Sequence, residues 1–195
     1  MIQLVPELNV ARLDVAQLFG RDAPLQVDLG CGDGSFLCEL ADQFPDKNFL
    51  GIERLTKRVE KVRRKAVKID NLRVLGIDTL FAVRYLLPEK SVEAFYLLFP
   101  DPWPKRRHQQ RRIFTCEFLD AIAAALERNG VLRVATDQVD YFHQMKQLTR
   151  NHSQFEIIAP SPSDVLLPST KFERTFHQLG VPVYRLTLRK ISPVK

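Results

Sequence analysis

The 195-residue sequence predicts a doubly wound α/β fold with a mostly parallel sheet, and three observations lead to this prediction. Short apolar runs alternate along the chain with segments whose apolar residues recur at helical spacing. The runs are continuously apolar, as is typical of parallel strands that helices cover on both faces. Residues 183–189 differ, because apolar and polar side chains alternate there with a period of two. This last strand is therefore predicted to be antiparallel, at the end of the sheet.

The predicted elements follow one another in chain order. The parallel strands are residues 25–29, 48–52, 72–77, 92–99 and 131–135. The helices are residues 35–44, 56–69, 115–127 and 138–149. Asn129-Gly130 is predicted to stop the third of these helices. Prolines mark two loops, one with Pro100, Pro102 and Pro104 and the other with Pro160, Pro162 and Pro168.

Composition and charge exclude several classes of protein. No run approaches the roughly 20 apolar residues of a membrane span, and the first ten residues lack the pattern of a secretory signal. The three cysteines form no CxxC pair and the four histidines show no metal-ligand spacing, so we expect neither a disulfide framework nor a metal site. This cysteine usage fits a reducing cytoplasm. The net charge of +6 favours an anionic partner.

A glycine-rich turn follows the first predicted strand. Residues 27–34 read VDLGCGDG, so that Gly30, Gly32 and Gly34 separate this strand from the first helix. Glycines let the chain turn tightly and bring its backbone close to a ligand. Glu53 ends the second strand, where an acidic side chain can accept hydrogen bonds from both hydroxyls of a ribose. The pattern predicts a site for a nucleoside-containing cofactor.

The residues around this turn distinguish between cofactors. The nicotinamide fingerprint needs a third glycine or alanine where this chain has Ser35. Asp28, directly below the turn, would repel a pyrophosphate and attract the ammonium group of a methionine moiety. The motif resembles that of class I S-adenosylmethionine-dependent methyltransferases. The resemblance implies a Rossmann-like sheet of seven strands with S-adenosylmethionine as cofactor, and it places Asp78 near the adenine.

A stiff loop after the fourth strand is predicted to hold the chemistry. Residues 99–112 read FPDPWPKRRHQQRR, and the prolines on either side of Asp101 keep its backbone extended. Ligands of open α/β sheets bind at the carboxyl ends of the strands, so this loop should face the cofactor. Asp101 is therefore the candidate catalytic residue.

Longer strings resemble the bacterial tRNA (guanine-N7)-methyltransferase family over about residues 25–190. They are the loop at 99–112, TDQ at 136–138 and TKFE at 170–173. The resemblance implies cofactor binding by Asp28, Glu53, Asp78 and Asp101, with Asp101 also in the active site, and substrate binding by Lys105, Asp137, Thr170, Lys171, Phe172 and Glu173. Two positions depart from the family pattern: Thr175-Phe176 replaces an Arg-Gly pair, and Gln138 stands where tryptophan is frequent.

Two basic segments concentrate the positive charge. Segment 54–68 has eight basic residues and one acid, and segment 105–112, which includes Arg112, has five and none. Together they carry a net charge of +12, whereas the rest of the chain carries −6. Solvated helices usually alternate their charges, so such a run favours phosphate binding. The candidates for contacts to an RNA backbone are Lys57, Lys61, Arg64 and Lys68 on one helix face and Arg106 and Arg107 in the loop.

The sequence and the resemblance together predict one methyltransferase domain over residues 1–195. It would transfer a methyl group from S-adenosylmethionine to N7 of a guanine in tRNA, and the resemblance implies the variable loop as its target. Three alternatives are another class I methyltransferase with a protein or small-molecule substrate, an inactive RNA-binding scaffold, and a nicotinamide enzyme. We expect no membrane association and no obligatory protein partner, and both a monomer and a homodimer stay open.

Overall fold

A computed structural model describes residues 11–159 and 166–192; Pro160 and Pro162 of the second predicted loop lie outside these ranges. The strands are β1 (Leu25–Leu29), β2 (Asn48–Ile52), β3 (Leu72–Leu75), β4 (Val92–Leu98), β5 (Leu126–Thr136), β6 (Phe155–Ile158) and β7 (Tyr184–Lys190). The helices are α1 (Val15–Phe19), α2 (Ser35–Gln43), α3 (Thr56–Ala66), α4 (Thr79–Phe81), α5 (Cys116–Ala125), α6 (Val139–Arg150) and α7 (Lys171–Gln178). A π-helical turn continues α4 over Ala82–Leu86, and a 3₁₀ helix covers Arg106–Arg111.

Within the described residues, seven strands form one sheet in the order β3-β2-β1-β4-β5-β7-β6. The pairs among β1 to β5 are parallel, and β7 runs antiparallel to both of its neighbours. The predicted doubly wound sheet with an antiparallel C-terminal strand is thus confirmed. The predicted place of this strand at the end of the sheet was wrong, because β6 pairs with its outer side and forms the edge. The strand order reverses between β1 and β4, so their carboxyl ends border the crevice in which such folds bind ligands.

The sheet is buried on both faces, as its continuous apolar strands predict. Phe49 of β2 packs on one face with Leu37 of α2 and Val62 of α3. Its neighbour Leu50 points to the opposite face, into the cluster that contains Phe118 of α5. Helices therefore cover both faces of the sheet.

The end of α5 differs from the sequence prediction. The helix stops at Ala125 and not at Asn129-Gly130, because Leu126 adopts an extended backbone and is fully buried as the first residue of β5. The register between β4 and β5 then shifts, and Asn129 takes a positive φ of 64° inside this irregular strand start. Asn129 and Gly130 thus shape a bulge and do not cap a helix. Strand β3 likewise ends at Leu75, two residues earlier than predicted.

The periodicity of apolar residues does not predict two elements near the C-terminus, namely β6 and α7. Helix α7 has only eight residues and buries none of them, and its one apolar pair, Phe172 and Phe176, is too short a pattern to predict a helix from periodicity. A local signal was nevertheless present in TKFE. The hydroxyl of Thr170 accepts a hydrogen bond from Glu173 N (3.0 Å), and the Glu173 carboxylate accepts one from Thr170 N (3.3 Å). This reciprocal pair is a capping box, which marks the start of a helix.

Candidate active site

A cavity of about 330 Å³ opens at the carboxyl ends of β1 and β4. Its wall contains six of the residues that the sequence singles out: Asp28, Gly30, Gly32, Thr170, Lys171 and Phe172. It also contains Cys31, Asp33, Ser35, Phe36, Arg58, Leu98, Phe99 and Thr175, which sequence reasoning did not assign. The fold thus brings the glycine turn after β1 together with the start of α7. The volume falls in the range of small-molecule sites.

The glycine turn leaves room that a side chain would fill. Gly30 and Gly32 have positive φ values of 78° and 58°, and a Cβ at Gly30 would meet no atom within 4 Å. Both residues therefore present bare backbone to the cavity. Gly34 also has a positive φ (72°), but it faces the protein, and a Cβ there would lie 2.8 Å from Cγ2 of Val62. Gly34 thus lets α3 pack against the turn.

Replacing Gly34 by alanine should cost more stability than replacing Gly180. Both glycines have positive φ, but a Cβ at Gly180 meets no atom within 4 Å, so Gly180→Ala adds only backbone strain of about 1 kcal/mol. Gly34→Ala adds a collision with Val62, and we expect a total loss of about 2–4 kcal/mol. Urea unfolding of both variants measures the free energies. Equal losses would show that α3 can move away from the turn at no cost.

Two buried carboxylates lie under the glycine turn. The Glu53 carboxylate accepts hydrogen bonds from Gly32 N (3.1 Å) and Leu55 N (2.9 Å), and Arg58 lies 3.6 Å from it. Asp28 is 4% exposed and lines the cavity. Burial, and after it the negative charge of Glu53, raises the pKa of Asp28 to about 7. Asp28 is therefore poised to gain a cationic ligand, which would favour its charged form.

The raised pKa of Asp28 predicts a dependence of stability on pH. The unfolded chain releases this proton near pH 4 and the folded protein only near pH 7, so folded Asp28 binds more protons between these values. The Asp28 contribution to the free energy of unfolding therefore falls as pH rises from 4 to 7 and stays low above pH 7. Asp28→Asn removes this loss. We therefore compare the free energies of unfolding of the variant and the parent without cofactor. The advantage of the variant should be larger at pH 8 than at pH 4, by on the order of 3 kcal/mol.

Urea unfolding of the Asp28→Asn variant and the parent across this pH range tests the expectation. Asp70→Asn, which changes an exposed carboxylate outside the cavity, is the matched control and should follow the parent. A constant difference between Asp28→Asn and the parent at every pH would show that the folded carboxyl titrates normally.

Glu53, Asp78, Asp101 and Asp137 lie outside the cavity wall, as far as the described residues define it. Asp78 caps α4, since its carboxylate accepts a hydrogen bond from Phe81 N (3.0 Å). Asp137 accepts one from Nε2 of Gln138 (2.5 Å), the residue that replaces the family tryptophan. Both acids follow the carboxyl ends of strands, Asp78 after β3 and Asp137 after β5. Both acids therefore lie on the carboxyl-terminal side of the sheet, where the cavity opens. Asp78 is on one side of β1 and β4, and Asp137 is on the other.

The proline-rich loop leaves β4 directly beside the cavity. Phe99 belongs to the cavity wall and has a positive φ of 53°, and Asp101 follows it as an exposed side chain. Trp103 is half-buried within the loop, with the Arg111 guanidinium 5.0 Å from the centre of its ring and the edge of His108 beside it. Lys105 is exposed and precedes the 3₁₀ helix. The loop thus packs on its own aromatic residue and leaves Asp101 accessible.

Arg112 does not belong with the exposed charges of this loop, in contrast to its assignment from sequence. It is 4% exposed, and its Nε donates to the carbonyl oxygen of Pro102 (2.8 Å). Its two terminal nitrogens donate to Gln144 (2.6 Å) and Asp140 (2.5 Å) of α6. The guanidinium also lies 4.5 Å from the centre of the Tyr141 ring. Arg112 therefore ties the Asp101 loop to α6.

Ion pairs hold α7 over the cavity. Lys171 pairs with Asp33 of the glycine turn, which also pairs with Lys65 of α3 (3.2 Å). Partial burial acts to raise the pKa of Asp33, but the hydrogen bonds from Lys171, Ser35 and Lys65 outweigh it and hold that pKa well below its usual range. Asp33 therefore stays charged and connects the glycine turn, α3 and α7. The VDLGCGDG motif contains Asp33, but the sequence does not reveal its partners.

The basic face of α3 is solvent-exposed. Lys57, Lys61 and Arg64 lie opposite the buried Val59 and Val62, and Lys68 follows beyond the end of the helix. Two other basic residues of the segment turn inward, Arg58 toward Glu53 and Lys65 toward Asp33. In the loop, Arg106 and Arg107 are exposed. All the residues predicted to contact an RNA backbone are thus accessible.

Two other kinds of feature are absent from the described part of the chain. No helix there is long and apolar enough to cross a bilayer. No three His, Cys, Asp or Glu side chains in the same ranges come together as a metal-binding group.

Comparisons with known proteins agree with this geometry. A family described as "Putative methyltransferase" matches residues 22–186. A tRNA (guanine-N(7)-)-methyltransferase of Halorhodospira halophila is 40% identical over 93% of this chain and 82% of its own length. The enzyme of that name from Cronobacter sakazakii is 35% identical over 95% and 80%. The enzyme of that name from Thermotoga maritima is 34% identical over 92% of this chain. The match covers only 58% of the length of the Thermotoga enzyme.

Solved structures share the architecture at lower identity. The 16S rRNA methyltransferase KamB superposes with a TM-score of 0.67 at 20% identity, covering 94% of this chain and 95% of that one. The antibiotic-resistance methyltransferase Kmr superposes with a TM-score of 0.64 at 17% identity and covers 93% of each chain. At these identities the likeness concerns the fold alone, and it agrees with the predicted Rossmann-like sheet.

Proposed function

The chain belongs to the tRNA (guanine-N(7)-)-methyltransferase family, and from this membership we propose that it methylates N7 of a guanine in tRNA. The methyl donor of this family is S-adenosylmethionine. One structural observation carries the proposal: a single cavity joins the glycine turn, the buried Asp28 and the TKFE segment, which are far apart in the sequence. The Asp101 loop leaves the edge of that cavity.

The residues of the cavity fit S-adenosylmethionine. The backbone of Gly30 and Gly32 leaves space in which a side chain would otherwise stand. Asp28 offers a carboxylate suited to the ammonium group of the methionine moiety, and Glu53 is placed at the end of β2 for the ribose hydroxyls. Asp78 lies at the end of the neighbouring strand β3, on the side proposed for the adenine. Bound in this way, the cofactor supplies an electrophilic methyl group on a sulfonium sulfur.

The task of the protein follows from the chemistry of the acceptor atom. Guanine N7 has an in-plane lone pair and no proton to lose, so no general base is required. The chain must align N7 with the methyl group and stabilise the positive charge that develops on the purine ring. We assign the second task to the Asp101 carboxylate, which is accessible beside the cavity. Lys105, Asp137 and the Thr170–Glu173 segment would orient the substrate.

The acceptor atom also limits the form of RNA that can react. N7 lies in the major groove, which is deep and narrow in A-form RNA. The target guanine must therefore lie in a loop or leave its base pair before methylation. We propose a guanine of the variable loop, bound with its flanking phosphates on the basic segments. The reaction would take place in the cytoplasm, in a single domain.

Replacing basic residues of α3 by uncharged ones should weaken tRNA binding and should also make the binding less dependent on salt. Each lost phosphate contact lowers the slope of log K against log salt by about 0.7–0.9, so Lys57→Gln/Lys61→Gln/Arg64→Gln should lower it by about 2–3. Filter binding at several salt concentrations measures the slope. The control is Lys90→Gln/Arg128→Gln, which changes exposed residues at the amino ends of β4 and β5. If both variants change the slope equally, α3 is not the docking face.

The decisive experiment is methyl transfer from labelled S-adenosylmethionine to bulk unmodified tRNA, followed by nucleoside analysis. Label in 7-methylguanosine is the expected result. Label in a different nucleoside, or in protein, would replace the proposed acceptor by another one. Cofactor binding without transfer to any RNA would favour an inactive scaffold.

A further inference from the structure

Three phenylalanine rings cluster at the mouth of the cavity, where two of them line it and the third packs against both, and we call them the aromatic wall. Phe99 follows β4, and Phe172 and Phe176 lie on α7. The ring centre of Phe99 is 5.9 Å from that of Phe172 and 5.4 Å from that of Phe176. Phe172 and Phe176 are stacked, with centres 6.2 Å apart and planes inclined by 24°. Phe99 and Phe172 line the cavity itself.

The ring of Phe172 is unusually accessible. It is 59% exposed, whereas Phe49, Phe95 and Phe118 of the core are fully buried. A single exposed apolar side chain needs no explanation. Phe172, however, belongs to a cluster of three rings at the mouth of the cavity that also contains Asp28 and the glycine turn. An accessible aromatic ring at the mouth of a cavity of this size suits a planar aromatic ligand.

A capping box and several ion pairs hold the helix that carries this ring. Its first turn is closed by the capping box of Thr170 and Glu173. Three ion pairs join the helix to other parts of the protein. Lys171 pairs with Asp33 of the glycine turn, Glu173 with Arg185 of β7, and Arg174 with Glu39 of α2. A ligand that contacts Phe172 therefore has little conformational entropy of the helix to remove.

The family departure at Thr175-Phe176 contributes to this wall. The hydroxyl of Thr175 donates a hydrogen bond to the carbonyl oxygen of Lys171 (3.0 Å) one turn earlier. Phe176 contacts the rings of both Phe99 and Phe172. The Arg-Gly pair at these positions in the family would supply neither contact. Phe176 thus supports the ring of Phe172 from behind.

We propose that the aromatic wall, through Phe172, stacks on the extruded target guanine; this inference rests on the proposed function and adds to it the means of holding the base. Unpaired bases that proteins bind in single-stranded form commonly stack on aromatic side chains. Methylation of N7 makes the purine ring cationic, and cations are attracted to the face of an aromatic ring. The stacking is therefore stronger in the transition state than in the ground state, so it also accelerates the transfer.

Substitutions at Phe172 test the stacking. Phe172→Leu keeps an apolar side chain without a ring, and kcat/KM for tRNA should fall roughly 5- to 150-fold, the factor that one base–aromatic stack is worth. The Kd for S-adenosylmethionine should change less than kcat/KM for tRNA, and the melting temperature by less than about 2 °C, because more than half of the ring is exposed and leucine keeps an apolar side chain in the wall. Phe172→Tyr should restore kcat/KM to within about threefold. Leu179→Ala, which changes an exposed apolar residue at the end of α7, should behave like the parent.

A second measurement does not depend on turnover. Trp103 is the only tryptophan, so Phe172→Trp in a Trp103→Phe background leaves one fluorescent reporter on the wall. Its fluorescence should be quenched by 7-methylguanosine 5′-monophosphate at lower concentrations than by guanosine 5′-monophosphate, because the methylated base is cationic.

The outcomes separate this inference from the proposed function. If the parent forms 7-methylguanosine and Phe172→Leu matches its kcat/KM, the stacking is refuted and the function stands. If the parent does not methylate tRNA, the function is refuted, and the mononucleotide titration still decides the stacking. Equal quenching by the two nucleotides, or none, would contradict it.

Discussion

Asp101→Asn should lower kcat for tRNA methylation by about 10²- to 10³-fold, with little change in the KM values for tRNA and cofactor. The amide keeps the shape of the carboxylate but removes its charge, which we expect to stabilise the cation that forms on the purine ring. Losing one preorganised electrostatic group of this kind typically has an effect of that size. The effect falls on kcat because the charge develops only in the transition state.

Steady-state kinetics with unmodified tRNA measure this effect, and Asp70→Asn provides the control. Both residues are exposed, so neither substitution should change the melting temperature by more than about 2 °C. An Asp101→Asn enzyme with full kcat would remove Asp101 from the reaction. A rise in the KM for cofactor at constant kcat would instead restrict it to cofactor binding.

Arg112→Met should affect both stability and turnover. The side chain is buried and holds Pro102 and α6 together through three hydrogen bonds. Removing it leaves the Pro102 carbonyl group without its buried partner and breaks the pair with Asp140, so we expect a loss of about 2–4 kcal/mol in the free energy of unfolding. Because Pro102 is bonded directly to Asp101, we also expect kcat to fall by about 10- to 100-fold as the loop loses its alignment.

Arg107→Met is the matched control, since it removes an exposed arginine of the same loop. It should lower the salt slope of tRNA binding by about one unit while the stability changes by less than about 0.5 kcal/mol. Arg112→Met should leave the salt slope unchanged. A reduced slope for Arg112→Met at unchanged stability would place Arg112 on the RNA and not inside the protein.

The contrast between these two arginines shows where sequence reasoning ends. In the sequence Arg107 and Arg112 belong to one basic run, and nothing local separates them. Burial of Arg112 depends on Gln144, Asp140 and Tyr141, which α6 brings to it from a distant part of the chain. The pairing of Asp33 with Lys171 is decided in the same way.

Periodicity and motifs were sufficient for much of the fold. The boundaries of β1, β2 and α2 agree with the sequence prediction to within one residue, because their apolar residues recur with the period of the element and glycines end β1. The predicted end of α5 was wrong, because the burial of Leu126 in the sheet overrides a local stop signal. The position of α7 could not be predicted either, since ion pairs and the contacts of its two phenylalanines with Phe99 join it to segments that are distant in the sequence.

The sequence by itself determined the sheet, the glycine turn, the acids at the strand ends and the family resemblance. Each of these depends on residues that are close together in the chain or on the alternation of buried and exposed positions. Only the tertiary structure decided which basic residues face solvent and which acid has a raised pKa. It also decided that the aromatic rings of α7 contact Phe99 at the cavity. These properties depend on neighbours from distant segments, because burial and electrostatic interactions act through space and not along the chain.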